Sequence, residues 1–416
     1  MIKVLIIGYV WPEPNSSAAG SRMLQLIEFF LEQQWQVTFS SPAAESEHRF
    51  HFEEIGVKKQ NIKVNSNCFD LFVKEHNPDI VLFDRFLMEE QFGWRVEKHC
   101  PDAIRIIETV DLHCLREVRQ KFVKKKQSLS ETELTKELKQ SEIASREIAS
   151  IYRCDLSLMI SSYEMHILEN HFNINPSLLL HLPFMVENID SLEWNKLPTY
   201  EQRNDFITIG NFRHPPNWDT VLYLKETLWL PIRKKCPNAK LHIYGAYPPP
   251  KANQLHNPKQ GFLISGWAND AKQVMQKARI CLAPLRFGAG LKGKLLEAMQ
   301  CGTPSVTTHV GAESMHDNLE WNGVVTDNPE DFINAAIILY NDKEKWLNAQ
   351  KNSINIINSS FDKNSLSIVL LNTIHDIKNN LKEHRDNNFI GSMLRHHSMK
   401  STQYMSQWIE AKNKLK

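Results

Sequence analysis

Short, mostly apolar blocks alternate along this chain with longer stretches in which apolar residues return every third or fourth position. Residues 2–7 (IKVLII) form the first block and stop at Gly8, and similar blocks lie at Val37–Phe39, Ile80–Phe83 and Ala103–Ile107. Runs that are apolar at nearly every position, without a strict alternation, mark strands covered on both faces of a parallel sheet. Between the first two, Met23, Leu24, Ile27, Phe30 and Leu31 recur at helical spacing in a segment opened by Gly20. This alternation predicts a parallel sheet with crossover helices. The segments DLSLMISSYEMHILENHF and LLLHLPF read as strand, helix and strand, and they close a first Rossmann-like domain over residues 1–188.

After a linker-like stretch at 186–204 the pattern starts again. Phe206–Ile209 reads as a strand, Gly210 as its turn, NFRHPPNWDTVLYLKETLWLPIRKKCP as loop and helix, and KLHIYG and FLISG as two further strands. The best-defined unit follows. Ile280–Ala283 reads as a buried strand, Gly288 and Gly290 as its loop, and the next segment as a helix from near Leu291 to Gly302, with Pro304 preventing continuation. This second Rossmann-like domain is placed at 203–363. Residues 364–383 form an amphipathic helical segment, and 384–416 a polar tail whose apolar residues follow no clear period.

Composition narrows the function only a little. The 416 residues suffice for two ordinary domains. Lys and Arg number 49 against 48 Asp and Glu, so no overall field favours nucleic acid, and no nucleic-acid partner is expected. The seven cysteines are scattered, without a C-x-x-C pair, which argues against a disulfide framework or a zinc site. A reducing cytoplasm is the expected location, and no run is long enough to span a membrane. The basic run KFVKKK (121–126) is read chiefly as a solvated face, and a peripheral contact with anionic lipid at the inner face of the membrane stays open.

Candidate chemistry gathers at the strand-loop-helix unit. A helix starting just after Gly288-Ala289-Gly290 leaves unpaired N–H groups and partial positive charge facing that loop, which favours an anion there. Lys294 and Glu297, three apart, share a flank of the helix beside the apolar stripe of Leu291, Leu295, Ala298 and Met299. Lys294, with Arg286 and Lys292, would offset the charge of a diphosphate, and a carboxylate such as Glu297 suits ribose hydroxyls. In the first domain, Glu108, Asp111 and His113 follow the strand at 103–107, where ligands of open sheets bind. Asp111 as a helix cap and His113 as a surface residue remain open alternatives.

The run LRFGAGLKGKLLEAMQCGTPSVTT, with GAES after it, resembles the C-terminal signature of GT-B glycosyltransferases, in particular retaining nucleotide-sugar enzymes of glycosyltransferase family 4. The resemblance implies an α/β GT-B fold, two Rossmann-like domains facing a central cleft, with 364–383 crossing back to the first domain. It implies transfer of a hexose from a nucleotide-diphosphate sugar to a glycan, lipid-linked or protein hydroxyl, in cell-surface glycan or glycoconjugate synthesis, with no metal and no cofactor. Glu297 matches the second Glu of the family's Glu-x7-Glu motif, which binds the donor ribose. Ala289 stands where the first Glu belongs, as in a variant subset with a Gly-x-Gly-x-Lys/Arg loop. Arg213 replaces, from a shifted position after Gly210, the cation that other members carry where Asn211 stands. Gly20 keeps one member of an acceptor-side Gly-Gly pair. On this reading Lys294, Arg213 and His113 serve catalysis; Glu297, Gly288, Gly290, Lys292, Arg286 and Gly210 hold the donor; and Gly20 and Asp111 face the acceptor. A non-catalytic sugar-nucleotide or glycan-binding protein and a nucleotide-sugar 2-epimerase are the competing readings.

Overall fold

The computed structural model describes residues 1–415. Seven parallel strands build the first lobe: β1 (Lys3–Ile7), β2 (Gln36–Ser41), β3 (Lys58–Asn61), β4 (Ile80–Asp84), β5 (Ile104–Glu108), β6 (Leu156–Met159) and β7 (Leu179–His181). Six more build the second: β8 (Asn204–Ile209), β9 (Leu241–Tyr244), β10 (Phe262–Gly266), β11 (Ala278–Ala283), β12 (Ser305–Thr307) and β13 (Gly323–Val325). The apolar blocks become the central strands because both faces are covered; Val4 to Ile7 and Ile80 to Phe83 are fully buried. The edge strand β3, KKQN, is polar and carried no such signal.

The two sheets have one topology. Their orders are β3-β2-β1-β4-β5-β6-β7 and β10-β9-β8-β11-β12-β13, all pairs parallel. Strand order therefore reverses between β1 and β4 in one lobe and between β8 and β11 in the other. The crevice beyond the strand ends at such a reversal is where an open α/β sheet holds a ligand.

The helices needed below are α1 (Ala18–Glu32), α2 (Phe86–His99), α3 (His113–Lys125), α4 (Glu142–Arg153), α5 (Ser162–Phe172), α6 (Pro215–Tyr223), α7 (Gly293–Gln300), α8 (Lys363–Asn379) and α9 (Phe389–Lys414). Helix α1 leaves the β1 crevice and α7 leaves the β11 crevice. Their first turns meet: a methyl group built on Gly293 would lie 2.5 Å from the Ala18 side chain. Only glycine allows that approach. Leu370, Ile374 and Ile377 of α8 lie in the core of the first lobe, and Lys363 N–H donates to Val186 O where the chain crosses over.

Two expectations need correction. The helix expected from near Leu291 begins at Gly293, with Lys292 as its N-cap. Gly290 adopts φ +62°, and Lys292 folds its Nζ back onto Gly290 O, which holds the intervening residues out of the helix. The polar tail, whose apolar residues show no clear period in the sequence, contains the 26-residue helix α9, packed on α2 and α4. Beside Leu394, which packs on the apolar cluster of the first lobe, its docked face is held by polar contacts: Arg95 donates to Ser406 Oγ at 3.0 Å and Asn388 to Tyr152 O at 2.8 Å. An apolar period was the wrong signal for such a face.

Candidate functional site

The site is assembled where the two crevices face each other. From the first lobe come the ends of β4 and β5. Asp84 accepts from Tyr9 N at 3.0 Å and lies 3.6 Å from Arg85, whose guanidinium covers the Tyr9 ring. Glu108, fully buried, pairs with Arg22 of α1 at 3.3 Å, and Arg22 also donates to Pro183 O at 2.6 Å. Val110 follows with φ +65°, a conformation that costs a β-branched residue energy and persists only where its surroundings impose it.

Asp111 and His113 come next. The structure removes the capping alternative for Asp111: the first N–H groups of α3, His113 and Cys114, donate to Glu147 of α4 at 2.8 and 2.9 Å. Asp111 instead pairs with Arg116 and lies 3.4 Å from His113 Nε2. Burial alone would raise its pKa, but Arg116, His113 and His214 outweigh it and hold the carboxyl at about 2. Burial, helped by Arg116 and Arg85 against the pull of Asp111, pushes His113 down to about 4. His113 is therefore a neutral imidazole at neutral pH, beside a carboxylate that stays ionised.

The second lobe faces this group with His214, Asn217 and Lys294. His214 is open to water, yet both walls of the cleft crowd it, and that desolvation pushes it down to about 4 against the field of Asp111. Lys294, in the first turn of α7, is half-buried and donates to Asn217 Oδ1 at 2.8 Å. Burial pushes its pKa down to about 8. One turn further, Glu297 is half-buried and pushed up to about 7 by burial, with Asp270 reinforcing and Lys272 opposing. Among the described residues neither Lys294 nor Glu297 has an ion-pair partner. The N-terminus of α7 carries no side-chain cap and no acid in its first turn. An uncapped helix end with a lysine beside it fits an anion.

The glycine loop has a different role from an open cradle. Gly290 N–H donates to Glu164 Oε1 at 2.7 Å, and Gly288 O accepts from Arg119 at 2.9 Å. Ala289 is buried in an apolar cluster of the first lobe with Leu112, Leu115 and Met159. A side chain on Gly290 would need a left-handed backbone and would meet Val110 O at 2.9 Å. Lys292 is buried, its Nζ on loop carbonyls. Together with the Arg119–Glu313 pair at 2.6 Å, these contacts fasten the lobes beside the cleft. Gly288 and Gly290 thus join the lobes while Lys292 braces the loop that carries them, and the apolar seat of Ala289 has no room for a solvated carboxylate.

The remaining expected residues are spread around the mouth. Arg213 is exposed and stacks on Tyr247, guanidinium to ring centroid 3.6 Å. Arg286 is held by Asp219 of α6 at 2.5 Å. Gly210 packs against Asn217, and Gly20 lies one turn into α1 against the backbone of Glu13. Ser17 caps α1 by accepting from Gly20 N at 3.1 Å.

Sequence reasoning missed Glu164, Glu13 and the part played by Asn217. Glu164 follows Ser161 at the capping-box spacing, which suggests a local role; its carboxylate instead accepts from Leu112 N at 3.1 Å and from Gly290 N across the lobes. Glu13 accepts from Tyr247 of the second lobe at 2.8 Å, and Asn211 donates to Ser16 Oγ at 3.0 Å. No local pattern marks either contact.

With this geometry in place, comparison with known proteins adds the following. Residues 203–342, the body of the second lobe, match the family model described as glycosyl transferases group 1. No curated protein matches the chain. Among solved structures, sucrose-phosphate synthase from Thermosynechococcus elongatus superposes with TM-score 0.64 at 14% identity, covering 91% of this chain and 99% of that one. TarM of S. aureus, solved with UDP, alpha-GlcNAc-glycerol and Fondaparinux, gives 0.68 at 10% identity over 90% and 99%. HepE of Anabaena, in complex with UDP and glucose, gives 0.64 at 13% over 90% and 100%. The chain has the two-lobed GT-B fold, and the superpositions cover 90–91% of it.

Proposed function

We propose that this protein is a glycosyltransferase that moves a sugar from a nucleotide-diphosphate sugar to an acceptor hydroxyl. The observation that carries the reading is the start of α7. An uncapped helix N-terminus and Lys294 lie at the strand-order reversal of the second lobe and open toward the reversal of the first. The family match of that lobe and the UDP in two similar structures support a nucleotide donor there.

In this reading Glu297 accepts hydrogen bonds from the donor ribose, and the diphosphate lies against α7 with Lys294. The bond between the sugar's anomeric carbon and the phosphate oxygen breaks, and negative charge grows on the departing diphosphate. A preorganised cation and helix dipole stabilise that growing charge better than they stabilise the bound donor. The acceptor enters from the side of Gly20, Asp111 and His113. Its oxygen bonds to the anomeric carbon and gives up its proton; neutral His113, steadied by Asp111, is the group in the cleft suited to receive it or to hold a sugar hydroxyl. Arg213 extends the positive rim at the mouth. Gly288 and Gly290 are assigned to joining the lobes, Lys292 to bracing their loop, and Arg286 to its pair with Asp219. Retention of configuration, a metal-independent reaction and a role in cell-surface glycan synthesis in the cytoplasm belong to the same proposal.

A screen of nucleotide-diphosphate sugars with glycan, lipid-linked and peptide acceptors, detecting released nucleotide diphosphate, tests it. Acceptor-dependent release from one donor is the expected result. Donor binding without release under any acceptor would replace it with the non-catalytic reading.

A further inference from the structure

Helix α9 is docked by one face only. Gly391 and Ser406 are packed into the first lobe, Arg395 reaches Glu97 at 3.6 Å, and Glu410 reaches Arg95 at 3.9 Å. The opposite face exposes Ile390, Met393, Tyr404, Met405, Trp408 and Leu415, each between 44% and 88% accessible. At 3.6 residues per turn, all of these except Met405 fall within an arc of roughly 60°, a stripe about 37 Å long. So this helix has an orderly apolar period, and it runs along the side turned away from the protein.

The charges on that side are of one sign. Lys400 and Lys412 flank the stripe on either edge, and Lys412 Nζ lies 5.1 Å from the Trp408 ring centroid. The one acid in residues 389–415, Glu410, belongs to the docked side. Aromatic rings with a polar tip beside lysines on apolar stems are the composition of a helix lying in a membrane interface. No helix among the described residues is long and apolar enough to cross a membrane. A second copy of the chain is a poor occupant, because a two-fold contact on this face would set lysines against lysines with no acid to answer them.

We propose that the outer face of α9 docks the protein on an anionic lipid surface, the helix lying in the plane of the interface with Tyr404 and Trp408 among the headgroups. Lys400 and Lys412 meet the lipid phosphates, and Ile390, Met393 and Leu415 reach the acyl boundary. This inference stands independently of the activity proposed above.

The test is sedimentation of the full-length protein with vesicles of phosphatidylglycerol and phosphatidylcholine in equal parts, and with phosphatidylcholine alone. The wild type is expected to bind the anionic vesicles and to be released by salt. The double variant Tyr404→Ser/Trp408→Ser should bind about tenfold more weakly or less. Each of Lys400→Gln and Lys412→Gln should weaken binding about fivefold, the factor for one basic group at an anionic surface. All variants should keep the wild-type Tm, because the replaced side chains are exposed. Absence of binding, equal binding to phosphatidylcholine alone, or binding unchanged in the aromatic variant would overturn the proposal. So would a dimer that the aromatic variant splits, since a second copy would then be the occupant, or a lower Tm in that variant, which would make the face part of the fold.

Discussion

The two lobes share one strand order and handle the charges at their crevices differently. In the first, each acid at the strand ends has a cation of its own: Glu108 has Arg22, Asp84 has Arg85 and Asp111 has Arg116. In the second, Lys294 and Glu297 are held half out of water without an ion pair, and their pKa values are drawn toward neutrality, to about 8 and about 7. Burying unpaired charge costs stability, and among the described residues Glu297 lacks the pair of backbone N–H donors that Glu147 and Glu164 find beside the first crevice. The strand-end acids of the first crevice are paired within the protein, whereas the second crevice leaves two ionisable groups unpaired among the described residues, as the proposed donor site requires.

The comparison breaks most visibly if the pairs are cut. Glu108→Ala leaves Arg22 charged and buried and should cost about 3–5 kcal/mol of stability in chemical unfolding. Glu297→Gln should cost none and should raise the unfolding midpoint, because a poorly solvated carboxyl is removed. A comparable loss in both variants would erase the distinction between the crevices.

Catalysis gives the next largest effect. Lys294→Ala should lower donor turnover by roughly 10²-fold or more, while nucleotide affinity falls less, because diphosphate charge grows in the transition state. Equal losses in kcat and affinity would make Lys294 a uniform binder. Glu297→Ala should weaken donor binding by about 1.5–3 kcal/mol, the worth of a hydrogen bond to a charged group, with the fold intact.

The same two residues set a pH profile. Glu297 accepts best when ionised, above about 7, and Lys294 attracts the diphosphate when protonated, below about 8. The profile of kcat/KM should therefore be a narrow bell between these values. At saturating donor the diphosphate holds Lys294 protonated, so the alkaline limb of kcat should move upward. A flat profile from pH 6 to 9 would exclude both groups.

The smallest effect concerns the joint between lobes. Burial pushes Glu164 up to about 8, so its contribution to stability is fully present below the unfolded value of 4.5 and is lost as pH rises through about 8. The wild-type Tm should fall between pH 6 and 9, and that of Glu164→Gln, which keeps the contact with Gly290 uncharged, should fall less.

Much of this was legible in the chain because local patterns carry it. The buried strands wrote themselves as apolar blocks, and the unit from Ile280 to Pro304 announced a strand, a glycine loop and a helix bearing Lys294 and Glu297. What stayed hidden depends on the other lobe. Gly290 looked like an anion loop from its own neighbours, but its N–H is taken by Glu164, which lies 126 positions earlier in sequence. Ala289 looked like a lost carboxylate and is an apolar plug in the opposite lobe. Helix α9 carries a weak signal because His397 and Ser401 interrupt its apolar stripe between Met393 and Tyr404, and its docking depends on Arg95, Tyr152 and Ser406.

The most direct test is calorimetric titration of a panel of nucleoside diphosphates into the wild type, Lys294→Met and Glu297→Gln, between pH 7 and 9. One nucleotide should bind the wild type at one site, both variants should lose affinity, and binding by Lys294→Met should no longer weaken as pH rises through about 8. Binding of equal strength and equal pH dependence in all three proteins would contradict the proposed donor site.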